Sequence, residues 1–319
     1  MCIGKEIISL NIYICAGAKS DEYREALIRE INYQNLNFKI INNSSDKTSA
    51  KAIIYSDDCD ISDFSEFSEN SYIFSTYAGV EKTLLNKTIK QPLVRLIDRE
   101  MTECMAEWCT AHVMRYHLDI DKFIKRKSKK WLTITTERPL AHQVSIGILG
   151  LGVLGQATAS KLGKLGFKIR GWSRSEKKLS GIISLNGENG LKEILRSSDY
   201  VILLLPLTHK TKEIINERSI KLLKNGVKLI NAGRGGLIEE QCIINGLDNG
   251  NISACTLDVF NQEPLPPSHP FWDHEKITIT PHISAPTRLK SSVKSIIENI
   301  KKLEKGEKPI GLVERQRSY

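Results

Sequence analysis

The stretch SIGILGLGVLGQ, residues 145–156, constrains the fold more than any other. A mostly apolar run leads into three glycines, Gly150, Gly152 and Gly155, and a helical pattern follows from Val153 to Leu165. Strand, glycine turn and helix in this order form a dinucleotide-binding βαβ unit. Gly150 suits the tight turn, Gly152 lets backbone approach a pyrophosphate, and Gly155 lets the helix lie close to the strand. The helix start, Val153 and Leu154, offers unpaired N–H groups and the positive end of the helix dipole to the phosphates. The motif implies an α/β protein and raises a question of placement, because it lies near the middle of 319 residues.

The next strand end selects the dinucleotide. An NAD site wants Asp or Glu there, about 20 residues on, to bind the ribose 2′-hydroxyl. Here the tip reads Trp172-Ser173-Arg174-Ser175, and the first carboxylate comes only at Glu176. Arg174 suits a 2′-phosphate, Ser173 or Ser175 can hydrogen-bond to it, and Lys177 and Lys178 add positive field. These residues favour NADP(H), with NAD(H) as the second choice.

Strand-like and helix-like stretches alternate along the chain. Strands are expected at 7–15, 38–41, 52–55, 72–75 and 93–96, then at 145–149, 167–171, 200–204, 227–231, 253–257 and 277–279. Helices are expected at 21–31, with Ser20 as N-cap, at 99–124, at 153–165 and at 286–305. Such alternation builds parallel sheets covered by helices on both faces. The last helix carries Leu289, Val293, Ile296, Ile297, Ile300 and Leu303 on one stripe and should dock on a core.

The bulk properties exclude several classes. No apolar run reaches the ~20 residues of a membrane helix. The net charge is +9, with the densest cluster at Lys122–Trp131. Without zinc-finger spacing or an RNP-type aromatic pattern, that cluster reads as a solvated helix end and loop rather than a nucleic-acid or membrane surface. Seven scattered cysteines without a CxxC read as free thiols in a reducing compartment, which implies the cytoplasm. The N-terminal lysine, apolar run and Ala16-Gly17-Ala18 faintly resemble a secretory signal, but Glu6 and Asn11 interrupt it. Cys109 and His112 lack a second ligand pair, so they read as packing and no metal site is expected.

Three later stretches stand after strands, where α/β sheets place their sites. Arg234 lies in LINAGRGGLIEE, Glu263 in LDVFNQEPLP and His282 in ITPHISAP. Together they supply a guanidinium, a carboxylate and an imidazole. Taken singly, each type is more often structural or on the surface. Combined with LPLTHKT (205–211) and the glycine motif, these stretches resemble the D-isomer-specific 2-hydroxyacid dehydrogenase family. WSRS, NQEPLPP, TPHISA and the terminal LEKGEKP are most similar to its glyoxylate/hydroxypyruvate reductase A branch. The resemblance covers most of residues 70–319 and little of the first 70.

That resemblance implies two Rossmann-like, doubly wound parallel-sheet domains. The dinucleotide-binding domain, 99–285, would be inserted into a substrate domain made of 1–98 and 286–319, which explains the mid-chain glycines. It implies an NADPH-dependent reductase of glyoxylate and hydroxypyruvate. His282 would be the general acid/base, Glu263 its partner, and Arg234 the holder of the substrate carboxylate. An imidazole titrates near neutrality, and a carboxylate beside it favours the protonated form. Pro206 would end a strand beside the nucleotide, and Ala232 and Asp258 would lie near its nicotinamide end, where Asp258 would accept from the carboxamide or else cap backbone at the strand end. The loop Thr76–Glu81 would grip the substrate through the N–H groups of Ala78 and Gly79. Two departures stand in it: Glu81 where many relatives have Asp, and Tyr77 in place of a small residue. Tyr77 leaves room for another small 2-oxo acid. Arg95 and Trp131 are candidates to border the pocket. The family resemblance also implies a homodimer with 99–131 near the contact. Some relatives act as dinucleotide-responsive regulatory modules, which is the reading from another class.

Overall fold

The computed structural model describes residues 10–41, 44–124, 131 and 137–317. The chain divides into two compact units. One takes in the described residues up to Met101 together with those from Thr287 onward, and the other is Thr102–Pro286.

The first unit holds a five-stranded sheet: β1 (Leu10–Cys15), β2 (Phe38–Ile41), β3 (Ala52–Tyr55), β4 (Tyr72–Ser75) and β5 (Leu93–Val94). The order is β2-β1-β3-β4-β5 and every pair is parallel. This is the flavodoxin-like doubly wound order. The helix Ser20–Tyr33 buries Tyr23, Leu27 and Ile31, and it packs against the helix Leu289–Glu304. The latter buries Val293, Ile296, Ile297 and Ile300, so the expected stripe does face a core. Tyr23 Oη lies 3.2 Å from Ser292 Oγ between the two helices. The last segment then pairs Leu312 with Val94, antiparallel, and covers the open edge at β5.

The second unit is a seven-stranded sheet. It contains β6 (Ser145–Leu149), β7 (Lys168–Trp172), β8 (Ile182–Leu185), β9 (Tyr200–Leu203), β10 (Val227–Asn231), β11 (Ile252–Leu257) and β12 (Ile277–Ile279). Its order, β12-β11-β10-β9-β6-β7-β8, reverses between β6 and β9. All pairs are parallel, so every carboxyl end lies on one side. The helix Arg99–His117 turns Met105, Cys109, Val113 and Tyr116 onto this core, and Tyr116 Oη meets Thr256 Oγ1 on β11.

Several expectations change. The strand β8 escaped notice because it is a four-residue edge strand without full burial on either face. The long helix expected over 99–124 breaks at Asp119, which takes φ +54° before a short helix Ile120–Ile124. A short polar side chain tolerates that conformation better than most. Ser20 is the first helical residue rather than the cap, and its hydroxyl accepts from the N–H of Ala16. Cys15 and Cys59 are paired, with Cα atoms 5.4 Å apart, where free thiols were expected. They stand 44 residues apart in sequence, but β1 and β3 are neighbours and bring them together. Cys104, Cys109, Cys242 and Cys255 are free. The basic cluster falls mostly at 125–130, outside the described residues.

Cys109 and His112 serve packing. Cys109 is fully buried, and the His112 ring lies 4.3 Å from that of Trp108. Burial and the neighbouring Arg115 push the His112 imidazole down to about 4. It faces Arg115 Nη1 at 3.5 Å as a neutral acceptor, because a guanidinium only donates. The folded chain therefore keeps His112 neutral where the unfolded chain protonates it. The stability this adds is whole above the unfolded value near 6.5 and is lost as pH falls towards 4. Denaturant unfolding of His112→Gln should show a shallower loss between those pH values, by up to about 1.4 kcal/mol per pH unit. Equal slopes in variant and wild type would contradict a buried neutral imidazole.

Candidate active site

The glycine loop sits where the order of the larger sheet reverses, the place where open α/β sheets bind ligands. Gly150 takes φ +113°, and a Cβ there would meet the carbonyl oxygen of Leu204 beyond β9 at 2.5 Å. A Cβ at Gly155 would run into the carbonyl oxygen of Gly150, so the helix Val153–Lys164 can start this close only with glycine. A Cβ at Gly152 would meet nothing within 4 Å, which leaves open space before the helix N-terminus. No side chain caps that N-terminus, so its first N–H groups face the open space. The glycine loop is tied to the next strand end, since the N–H of Gly150 donates to Trp172 O at 2.8 Å.

That strand end is the basic turn. Ser173 is buried, and its hydroxyl donates to Ser175 O at 2.8 Å. Its proton is spent within the turn, so it shapes the turn instead of donating to a phosphate. Arg174 and Ser175 are exposed beside it. Open space at Gly152, free helix N–H groups and an exposed arginine fit a phosphorylated dinucleotide.

The second group stands beyond β10, β11 and β12, three adjacent strands. Asn231 ends β10, fully buried; its amide accepts from the N–H of Gly233 (3.1 Å) and donates to Arg234 O (2.9 Å). Arg234 thereby stands in an extended conformation at the mouth of a short turn, Gly235–Leu237. A Cβ at Gly235 would collide with the backbone of Phe260 and Asn261, so the loops carrying Arg234 and Glu263 are in contact. Glu263 accepts from the N–H of Phe260 through Oε1 (2.9 Å) and faces His282 Nδ1 through Oε2 (2.7 Å). A carboxylate accepts, so Nδ1 carries the proton and Nε2 is left as the working atom. The His282 side chain is 53 % exposed, and Nε2 has no partner among the described residues.

Asp258, expected near the nicotinamide, stands at the strand end and takes hydrogen bonds from the loop after β12. It is fully buried and already accepts from Thr280 Oγ1 (2.6 Å), the N–H of Ile283 (2.9 Å) and the N–H of Ser284 (3.0 Å). Its backbone oxygen accepts from the N–H of His282 at 2.9 Å. The residue thus stands behind the histidine and sets its loop. His282 itself takes φ +53°, a conformation held by these bonds. Pro206 and Ala232 sit beyond β9 and β10, where Pro206 O accepts from Thr211 Oγ1 (2.7 Å) and Ala232 N–H donates to Leu203 O (3.2 Å). Asn231 and Thr280 were not singled out from the sequence; a polar residue at the end of an apolar strand is the only signal they give.

In the first unit, the loop after β4 leaves the N–H groups of Ala78 and Gly79 without an acceptor among the described residues, while Ser75 Oγ takes that of Tyr77 (3.1 Å). Trp131 is 95 % exposed.

The model of the D-isomer specific 2-hydroxyacid dehydrogenase, NAD binding domain, matches residues 109–284, more than half of the chain. The chain belongs to the D-isomer-specific 2-hydroxyacid dehydrogenase family. A relative named glyoxylate/hydroxypyruvate reductase A, from Yersinia enterocolitica, is 39% identical over 230 residues, 72% of each chain. Among solved structures, the D-isomer specific 2-hydroxyacid dehydrogenase of Xanthobacter autotrophicus, in complex with NADPH and MES, superposes with a TM-score of 0.87 at 29% identity. It covers 98% of this chain and 99% of its own. The NADPH-dependent glyoxylate/hydroxypyruvate reductase of Sinorhizobium meliloti, in complex with NADP and sulfate, gives 0.84 at 28% identity over 98% and 100% of the two chains. The inserted dehydrogenase domain of this family therefore holds both the glycine loop and the histidine–glutamate pair.

Replacing Asp258 by Asn should expose its part in this domain. An amide NH₂ would face one of the N–H donors it now accepts, leaving a buried donor unsatisfied at a cost of about 1–3 kcal/mol. Urea unfolding should show that loss; a variant as stable as wild type would remove Asp258 from the loop's support.

Proposed function

We propose that the chain reduces glyoxylate to glycolate and hydroxypyruvate to D-glycerate with NADPH. The observation that carries this reading is the hydrogen-bonded pair of His282 and Glu263, with Nε2 left free, in the domain that holds the glycine loop. The names of the relatives at about 40% identity and the NADP-bound neighbours support it.

Gly150, Gly152, Gly155, Val153 and Leu154 would hold the pyrophosphate, and Arg174 with Ser175 the 2′-phosphate. Pro206 would lie beside the nucleotide, and Ala232 and Asp258 near its nicotinamide end. When bound, the reduced nicotinamide supplies the hydride. His282 Nε2 gives its proton to the oxygen of the reduced carbonyl, and Glu263 stabilises the imidazolium that precedes the transfer. Arg234 is assigned the substrate carboxylate, for which a planar fork of donors is suited. The family resemblance assigns substrate binding to the N–H groups of Ala78 and Gly79 as well, which have no acceptor among the described residues. Tyr77, a large side chain at a position where relatives carry a small one, favours as a second reading another small 2-oxo acid within the same reaction type.

We also infer a homodimer, and a cytoplasmic one on the free thiols of Cys104, Cys109, Cys242 and Cys255, with the Cys15–Cys59 pair standing against that compartment. Phe123 (45 % exposed), Ile124 (73 %) and Trp131 present apolar surface beyond the helix Arg99–His117, the segment assigned to the contact. Among the described residues, no helix is long and apolar enough to cross a membrane.

Two variants test the roles. His282→Ala should keep NADPH affinity and lose about 10²–10⁴-fold in turnover; undiminished turnover would end its assignment as the acid. Arg174→Asp should lower the NADPH-over-NADH preference at least tenfold, roughly the lower bound for losing a charge-assisted hydrogen bond. An unchanged ratio would place the 2′-phosphate elsewhere. Light scattering on the eluted protein should give twice the chain mass, and a monomer mass would refute the dimer.

A further inference from the structure

Two cysteines of the first unit stand where thiol chemistry can reach them. Cys15 ends β1, Cys59 lies in the loop after β3, and the two are joined with Cα atoms 5.4 Å apart. Cys15 is buried, whereas Cys59 is only half-buried, and its Sγ accepts from the N–H of Ile61 at 3.3 Å. One sulfur is thus open to attack and the other stands behind it. Three of the free cysteines among the described residues, Cys109, Cys242 and Cys255, are buried instead. Burial pushes the Cys109 thiol up to about 12 and that of Cys242 to about 11. The thiolate is the nucleophile, so thiols placed like these are inert.

The segment that carries Cys59 is held from two directions. Towards β1, the N–H of Ser56 donates to Cys15 O (3.1 Å), and Asp58 Oδ2 accepts from the N–H of Ala18 (3.1 Å). Towards the helix Glu81–Leu85 and the turn after it, Asp57 Oδ1 accepts from Thr83 Oγ1 (2.9 Å) and Ser62 O from Asn86 Nδ2 (2.9 Å). The N–H of Phe64 donates to Thr88 Oγ1 (3.0 Å). Residues 57–64 therefore bridge the cysteine pair and residues 83–88, which follow closely on the loop after β4. That loop starts beside the same strand, since the N–H of Thr76 donates to Tyr55 O at 2.8 Å. The covalent link at Cys59 makes this bridge firm. Without it the bridge rests on hydrogen bonds that are individually weak, and segments held in that way open locally before the fold does.

We propose that Cys15–Cys59 is a thiol–disulfide exchange site, opened by glutathione or a similar thiol and closed by its disulfide, and that opening loosens residues 57–64 and 76–88. The incoming thiolate attacks the accessible Cys59 Sγ. The bond between the two Sγ atoms breaks, and Cys15 leaves as a thiolate that takes a proton. A second glutathione thiolate then attacks the glutathione sulfur of the mixed disulfide and releases Cys59, which takes a proton in turn. The pair gains two electrons and two protons, and two glutathiones become one disulfide. Closure is the reverse, with the disulfide as oxidant. Such a pair is consistent with a compartment that keeps thiols reduced, where disulfides are transient or redox-sensing. Exchange and loosening stand apart from the reductase reading; only the effect on KM rests on it.

The test uses the full chain without denaturant in two glutathione buffers, one with excess thiol and one with excess disulfide. Alkylation of open thiols and peptide mass mapping report the state of Cys15 and Cys59. The pair should be joined in the second buffer and open in the first, and the change should reverse. Amide hydrogen exchange over 57–64 and 76–88 should be faster in the open form, with 145–156 unchanged. KM for glyoxylate should rise about fivefold on opening, the low end of ordinary coupling between two sites, while NADPH affinity stays within about twofold. Cys59→Ser should behave as the open form in both buffers, and Cys104→Ser should respond as wild type does. A pair that never forms with the disulfide, or one that resists excess thiol in the folded chain, would overturn the proposal. So would opening that leaves either amide exchange or a measurable KM unmoved. Should the chain leave glyoxylate unreduced, the reductase reading fails while mapping and amide exchange still decide the role of the pair.

Discussion

A buried carboxylate keeps the histidine loop in place. Asp258 accepts three hydrogen bonds from residues 280–284, and its backbone oxygen takes the N–H of His282. Those bonds hold His282 in a left-handed conformation that few residues adopt. From there its Nδ1 reaches Glu263, whose other oxygen is anchored on the N–H of Phe260. Phe260 in turn packs its backbone against Gly235, next to Arg234. The imidazole, the carboxylate and the guanidinium are therefore set by one connected set of backbone contacts, on three adjacent strands that end on the same side.

Parallel pairing makes this arrangement economical of sequence. Because all seven strands of the larger sheet run the same way, each strand end contributes one loop to one face. The reversal of order between β6 and β9 opens the space into which the glycine loop points. In the smaller sheet the same logic gathers unpaired donors. The loop after β4 carries the N–H groups of Ala78 and Gly79, which have no acceptor among the described residues. An excess of donors at one strand end and helix N–H groups at another are what an anionic cofactor and an anionic substrate require.

The parts of this protein that follow from local pattern were legible in its sequence. β2, β3, β4, β6, β10 and β12 have the bounds that their apolar runs imply. Gly150 and Gly155 do what a glycine motif demands, and His282 and Glu263 meet as the family resemblance implied. The parts that depend on distant partners were not legible. An aspartate in LDVF looks the same whether it faces a cofactor or three N–H and O–H donors from residues 280–284. Cys15 and Cys59 are brought together only by the crossover that places β1 beside β3. β8 is too short and too exposed for its periodicity to stand out, and the break at Asp119 interrupts an otherwise continuous helical pattern. Ser173 shows the limit from the other side, since its residue type suits a phosphate but its proton is engaged in its own turn.

The most direct test of the account is the initial rate of loss of reduced-nicotinamide absorbance. Purified protein would receive NADPH or NADH, each with glyoxylate, hydroxypyruvate and pyruvate. The account predicts fast oxidation of NADPH with the first two acids and a markedly slower rate with NADH. Equal or faster oxidation of NADH would contradict the role of the basic turn, and no oxidation with any of the three acids would contradict the proposed reaction itself.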